Sequence, residues 1–156
     1  MAQIHPPFPI KKKIKIILQT FIKEKFKDKV DKAGKPYIEH LNRVAIPFLV
    51  EPKLYYIAFL HDIFEDTDVT EKELLSFEEI DDDSIKILKL LTREKDESYM
   101  QYIKKIATDE IAIKIKMSDL KDNMDITRLD KIKDEDIARL KKYHKAYKFL
   151  QEKVAK

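Results

Sequence analysis

The chain has no cysteine, no tryptophan and only one glycine in 156 residues. Without cysteine there is no disulfide, no thiol nucleophile and no thiolate metal site, so a bound metal must be held by imidazole and carboxylate oxygen. The same absence fits a reducing compartment. One glycine beside 39% charged residues suits long solvated helices better than turn-rich sheets. Arginine is scarce, with four residues against 28 lysines. Base-edge and minor-groove contacts favour arginine, so nucleic acid is not an expected partner. No stretch approaches the roughly 20 apolar residues that a membrane span needs. The run Lys11-Lys12-Lys13 leads into an apolar stretch, but Lys15 and Gln19 interrupt it well short of a signal-peptide core. The expectation is a soluble, cytoplasmic protein without membrane contact.

What is present points to one helical domain. Hydrophobic residues make up 44% of the chain, and the length is that of one ordinary domain, taken here as residues 1–156. Apolar residues recur at helical spacing over residues 10–27, and again from Tyr37 through Leu49, where Pro47 bends or ends the helix. Gly34 and Pro36 mark the turn between them. Pro52 is placed to open a third helix, and Thr70 with Glu73 reads as a capping box for a short fourth. Further stripes follow at Ile85, Leu88 and Leu91, at Tyr99 to Ile106, and at Ile137, Leu140, Tyr143, Tyr147 and Leu150. Ile111, Ile113 and Ile115 alternate as a strand would, yet the pattern runs on through Met117 and Leu120, which favours helix. The predicted fold class is all-α.

Charge is spread unevenly. Residues 1–36 carry ten lysines against Glu24, Asp28 and Asp31, whereas residues 61–85 carry eleven acids against Lys72. Opposed flanks of this kind suit a site for a polyanion and its metal, although charge runs are more often solvated helix faces.

The chemistry concentrates in His61-Asp62-Ile63-Phe64-Glu65-Asp66. Read as helix, this run sets His61 under Glu65 and Asp62 under Asp66 at i, i+4 spacing. Leu60, Ile63, Phe59 and Phe64 make the segment apolar, and carboxylates beside a core are costly unless a cation or hydrogen bonds offset them. The plainer alternative is a capped, solvated helix end leading into Asp68.

Three ordered motifs extend this signal: Pro36-Tyr37-Ile38-Glu39-His40, then His61 through Thr70, then Lys116-Met117-Ser118-Asp119. They resemble the hydrolase domain of the RelA/SpoT family and the small alarmone hydrolases, HD-fold enzymes that use manganese to remove the 3′-pyrophosphate of the alarmone ppGpp. Leu91-Thr92-Arg93 and Asp119 through Met124 fit as well, so the likeness runs over about residues 32–150. No synthetase region is present. The resemblance implies an HD-domain helical bundle, with His40, His61, Asp62 and Asp119 as ligands of a divalent metal, Mn2+ in the family. Two imidazoles and two carboxylates suit such an ion and leave positions open for water and phosphate oxygen. It gives Glu65 and Asp66 the catalytic handling of water and its proton. It places Lys32, Lys95, Asn123, Arg139 and Tyr143 against the phosphates, ribose or base of a phosphorylated nucleotide. His5 and His144 match no motif role.

One departure bears on the base. The family carries a His and then an Arg-Lys pair before the Gly-x-Pro-Tyr turn, the Arg stacking on guanine. Here Phe26 stands for the His and Asp31-Lys32 for the Arg-Lys pair. A carboxylate cannot supply planar cationic stacking. The expected activity is therefore nucleotide (pyro)phosphohydrolysis, on ppGpp or on a relative such as pppApp, NADPH or a deoxynucleotide. The rival from another class is a catalytically silent nucleotide sensor, against which the intact Glu65-Asp66 pair speaks.

Overall fold

The structure is a computed structural model describing residues 10–154, with side chains described from Ile17. His5 lies outside the described residues, as do the side chains of Lys11, Lys12, Lys13, Ile14 and Lys15. Among the described residues the chain is helical: α1 (Ile10–Phe26), α2 (Tyr37–Ala45), α3 (Pro52–Phe59), α4 (Ile63–Asp66), α5 (Glu71–Leu75), α6 (Asp82–Leu90), α7 (Tyr99–Ile106), α8 (Glu110–Asn123) and α9 (Asp134–Val154). The only strand-like pairing there is an isolated antiparallel bridge, Val30 to Pro36. The all-α expectation holds, and the alternating isoleucines lie inside α8.

Local chemistry accounts for most boundaries. Pro52 occupies the first position of α3, where its missing N–H leaves no intrahelical bond unmade. Thr70 and Glu73 form the expected capping box of α5, and Ser98 with Gln101 forms a second one on α7. Asp81 and Asp109 cap α6 and α8 by accepting the backbone N–H groups of Ser84 and Ala112. Pro47 ends the second helix: α2 stops at Ala45, and Ile46–Phe48 tightens into a 3-10 turn.

Two readings need correction. The His61-Asp62 segment is not a continuous helix, because α3 ends at Phe59 and α4 starts at Ile63. Leu60 (φ −96°, ψ 0°) and Asp62 (φ −101°, ψ 5°) sit in the sparsely populated bridge region. His61 and Asp62 therefore turn toward one point and do not stack beneath Glu65 and Asp66. The second correction concerns α9, where Ile137 is exposed and Leu140 only half-buried; Ala146 and Leu150 make its core face.

The core is built from Leu18, Ile22 and Phe26 of α1, Leu41 and Val44 of α2, Ile57 and Phe59 of α3, Ile87 and Leu88 of α6, Ile103 and Ile106 of α7, and Ile113, Ile115 and Leu120 of α8. Burying each such side chain favours the fold by about 1.5–3 kcal/mol. Within this frame α2 and α8 pack together. The Ser118 hydroxyl donates to the Val44 carbonyl at 2.9 Å, which fixes α8 so that Asp119 faces His40. No helix of the described residues is long and apolar enough to cross a membrane.

Candidate metal centre and nucleotide pocket

His40, His61 and Asp62 each offer one ligand atom, all within 4.8 Å of one another. Asp119 reaches the same point from α8, its Oδ1 lying 3.1 Å from His40 Nε2 and 3.3 Å from His61 Nε2. The two imidazoles are held from behind. His40 Nδ1 lies 2.6 Å from Asp122 Oδ2, and His61 Nδ1 lies 2.7 Å from the Ala58 carbonyl in the last turn of α3. A carbonyl and a carboxylate accept, so both Nδ1 atoms carry the proton in the neutral rings. The Nε2 lone pairs then face inward, and both Nε2 atoms are buried without a hydrogen-bond partner. Such orphaned acceptors are costly, and a divalent cation satisfies them together. Backing a ligating imidazole with a carboxylate or carbonyl is how metal sites fix tautomer and orientation.

The carboxylates are held as firmly. Tyr37 Oη donates to Asp62 Oδ2 at 2.5 Å, and the Tyr37 ring stacks on Phe26 with centroids 5.8 Å apart. Phe26 thus supports the tyrosine that orients Asp62. Lys116, buried on α8, donates to Asp119 Oδ2 at 2.7 Å, and Asn123 Nδ2 donates to Oδ1 at 2.9 Å. Burial pushes against charge on all of these groups, yet Lys116 and His61 hold the Asp119 carboxyl well below the usual range, and His61 lowers the Asp62 carboxyl. Burial likewise opposes charge on His61, but Asp62 and Asp119 outweigh it and raise the imidazole well above its ordinary value. The carboxylates are thus set to meet a cation, whether proton or metal.

Glu65 and Asp66 sit at the rim. Burial raises both carboxyls; the Arg93 backbone N–H, which donates to Glu65 Oε1 at 2.5 Å, and Lys29, paired with Asp66 at 2.5 Å, oppose the rise. Lys29 to Asp66, with Lys25 to Asp68 at 4.0 Å, joins the basic flank to the acidic one.

Beside the centre lies a cavity of about 450 Å³ whose wall includes His40, Asp122, Lys32, Asn123, Arg139 and Tyr143. Four of the five expected nucleotide contacts are therefore brought together. Lys95 is exposed on the α6–α7 loop and is not among the lining residues. Asp31 also lines the cavity, but its carboxylate is engaged: Oδ1 accepts the N–H groups of Ala33 and Lys35, both at 2.9 Å. The loop reverses at Gly34, whose φ of +77° a side chain would resist.

Sequence reasoning assigned no role to Asp122, Arg43, Tyr37 or Lys116. Arg43 Nε donates to Asp122 Oδ1 at 2.7 Å, completing a chain from Arg43 through Asp122 to His40. Burial opposes it, but the bonds from His40 and Arg43 bring Asp122 down to about 2. The available signal was spacing on α8, since Lys116, Asp119 and Asp122 recur every third residue.

Fold and site together define an all-α HD-type domain with a histidine–aspartate centre. No protein-family model matches the chain. It is similar to a metazoan ortholog of SpoT that hydrolyses ppGpp and plays a role in starvation responses, with a TM-score of 0.67 over 97% of this chain and 95% of that one; at 20% identity this shows the shared fold. It is also 32% identical over 115 residues to a guanosine-3′,5′-bis(diphosphate) 3′-pyrophosphohydrolase of Aquifex aeolicus, a match covering 67% of this chain and 16% of that protein. The chain thus spans about a sixth of that relative's length. The resemblance to the RelA/SpoT hydrolase family read from the motifs is borne out.

Proposed function

We propose that the chain is a metal-dependent phosphohydrolase that removes the 3′-pyrophosphate from ppGpp or a closely related nucleotide in the cytoplasm. The observation that carries this reading is the pair of buried, unpartnered Nε2 atoms of His40 and His61, converging with Asp62 and Asp119. The donor set suits a first-row divalent ion, and we favour manganese. When bound, such an ion activates water near neutral pH and offsets charge on the phosphoryl group.

The protein groups divide the remaining work. Glu65, partly buried and held by the Arg93 N–H, takes the proton from the attacking water. Asp66, anchored by Lys29, orients that water. Lys116 occupies Oδ2 of Asp119, leaving Oδ1 toward the imidazoles, and Tyr37 holds Asp62 through Oδ2, the oxygen that faces His61 Nε2. Arg139, Lys32 and Tyr143 line the cavity that receives the nucleotide. No planar cation stands at position 31, so guanine and adenine are weakly discriminated and the adenine alarmone pppApp is also accepted.

The test is metal content by elemental analysis together with a phosphate-release screen over ppGpp, pppApp, NADPH and deoxynucleotides with manganese present. Pyrophosphate release from ppGpp or pppApp, lost on chelation, is the expected result. A protein that binds the metal and these nucleotides without turning any over is a sensor, and the hydrolase reading fails.

A further inference from the structure

Two of the four arginines, Arg128 and Arg139, line the cavity beside the metal centre. Arg139 also lines an adjoining hollow of about 470 Å³ with Lys32, Ala33 and Leu129, and none of the candidate metal ligands reaches that hollow. These residues mark the outer end of the cavity. Arg128 takes no part in the hollow and touches Asp122, the residue behind His40, so it stands between the outer end and the metal centre.

Both ends of the Arg128 guanidinium are tied down. Nη1 donates to Asp125 Oδ2 at 3.0 Å, and Nη2 donates to the Asp122 carbonyl at 2.8 Å. Asp125 is itself fixed, because its Oδ1 accepts the Thr127 N–H at 3.1 Å and the Thr127 hydroxyl at 2.5 Å. Guanidinium N–H groups lie in the plane of the group, so these bonds set its tilt. A bidentate grip on phosphate would have to break them. Asp31, Asp122, Asp125 and Asp136 line the same cavity, and their charge further disfavours an anion at this point. What remains for a ligand is the flat face of the guanidinium, with the apolar Ile126 and Leu129 in the same stretch of cavity wall. A guanidinium is weakly hydrated and stacks on aromatic faces, and Arg planes are among the surfaces on which proteins stack unpaired bases.

We propose that Arg128 is the base-binding residue of this cavity and stacks its guanidinium face on the purine of the nucleotide. The role rests on the reading that the cavity receives a nucleotide, and it does not require that the nucleotide be hydrolysed. Every base has a π face, so such a platform adds affinity for purines without telling guanine from adenine. Asp125 sets the plane of the platform and is a positioning residue.

Calorimetry with guanosine 5′-monophosphate, adenosine 5′-monophosphate and ribose 5-phosphate separates the base from the phosphate. Arg128→Lys keeps the charge and loses the plane. It should weaken both nucleotides about tenfold and to the same extent, and leave ribose 5-phosphate within about twofold. Asp125→Asn keeps Arg128 but has one acceptor oxygen for two sets of donors, so the plane is freed; the same base-dependent loss should appear at about threefold. Equal losses for the nucleotides and ribose 5-phosphate overturn the platform, because Arg128 would then act on phosphate or only brace Asp122. Unchanged binding in both variants overturns it too, as does a wild type that binds the nucleotides no better than ribose 5-phosphate. Steady-state kinetics keep this apart from the hydrolase reading: Arg128→Lys should raise KM for ppGpp and pppApp alike, with kcat within about twofold. A base-dependent loss of binding in a chain that turns over neither substrate retains the platform and overturns the hydrolase reading. Turnover of ppGpp with an unaltered KM in Arg128→Lys does the reverse.

Discussion

The two ends of the pocket are built differently. At the proposed metal end each candidate ligand side chain is held by another group: Asp122 and the Ala58 carbonyl hold the imidazoles, Tyr37 holds Asp62, and Lys116 and Asn123 hold Asp119. His40, His61 and Asp119 are buried, with exposures of 2%, 3% and 3%. At the proposed nucleotide end Lys32 is exposed and Arg139 only half-buried, and Arg139 pairs with carboxylates of its own helix. A fully satisfied buried network is rigid and intolerant of deletion, while exposed cations contribute separately and modestly. Substitutions at the metal end should therefore abolish function, and substitutions at the nucleotide end should tune it.

The largest effects belong to the ligands. Asp62→Ala or Asp119→Ala should lose both the bound metal and all turnover, since either change removes a ligand and strands two imidazoles. Elemental analysis showing full occupancy in both variants would break the contrast at its root. Next comes the proton-handling rim. Glu65→Gln should keep the metal, because Glu65 lies outside the histidine–aspartate cluster and accepts from the Arg93 N–H, yet lose on the order of 10²-fold in kcat. Unchanged turnover removes Glu65 from the mechanism.

Behind the ligands, effects should be smaller and should depend on pH. Asp122→Asn should weaken metal affinity about tenfold by loosening His40. It should also expose a stability contribution, measurable by denaturant unfolding of metal-free protein. The folded carboxyl is depressed to about 2 from an ordinary value of 3.8. A depressed group contributes fully above its unfolded value and loses that contribution as pH falls toward its folded one. Wild type should thus exceed Asp122→Asn by about 2 kcal/mol at pH 6, with the difference shrinking between pH 4 and pH 2. A difference that stays constant over that window assigns the loss to packing.

The same contrast explains what the sequence disclosed. The helices announced themselves through apolar spacing, and the ligands through rare histidines beside aspartates at motif separations. The supports did not. In a chain with 39% charged residues, Lys116 and Asp122 look like solvated helix residues; only the packing of α8 against α7 and α2 gives Lys116 the Tyr102 ring and Asp122 the His40 and Arg43 side chains as neighbours. The break at residues 60–62 carries no glycine or proline. It is secured by the bond between His61 Nδ1 and the Ala58 carbonyl near the end of α3. Phe26 read as a lost histidine, whereas in the fold it is the platform for Tyr37.

The smallest expected effect tests position 31, where sequence and structure pull apart. From the family pattern alone, Asp31→Arg would remove a repelling charge and add a stacking cation, improving ppGpp binding by about tenfold. The structure makes that substitution a poor probe, because Asp31 Oδ1 accepts the Ala33 and Lys35 N–H groups that close the loop. Arg would leave both donors unmatched and release Lys32 from the cavity wall. Asp31→Asn separates the two roles. The amide oxygen still accepts from the same N–H groups, so the loop persists, while the negative charge facing the cavity disappears. Its distance from Arg43 Nη2, 4.0 Å, is too long for a strong pair, so little is lost there. Removing one screened charge beside a polyanion should lower KM for ppGpp about two- to threefold with kcat unchanged. Asp31→Arg, by contrast, should raise KM or leave it unimproved despite its added cation. A clear gain in Asp31→Arg with none in Asp31→Asn would mean that the loop tolerates opening and that stacking at this position governs the nucleotide end after all.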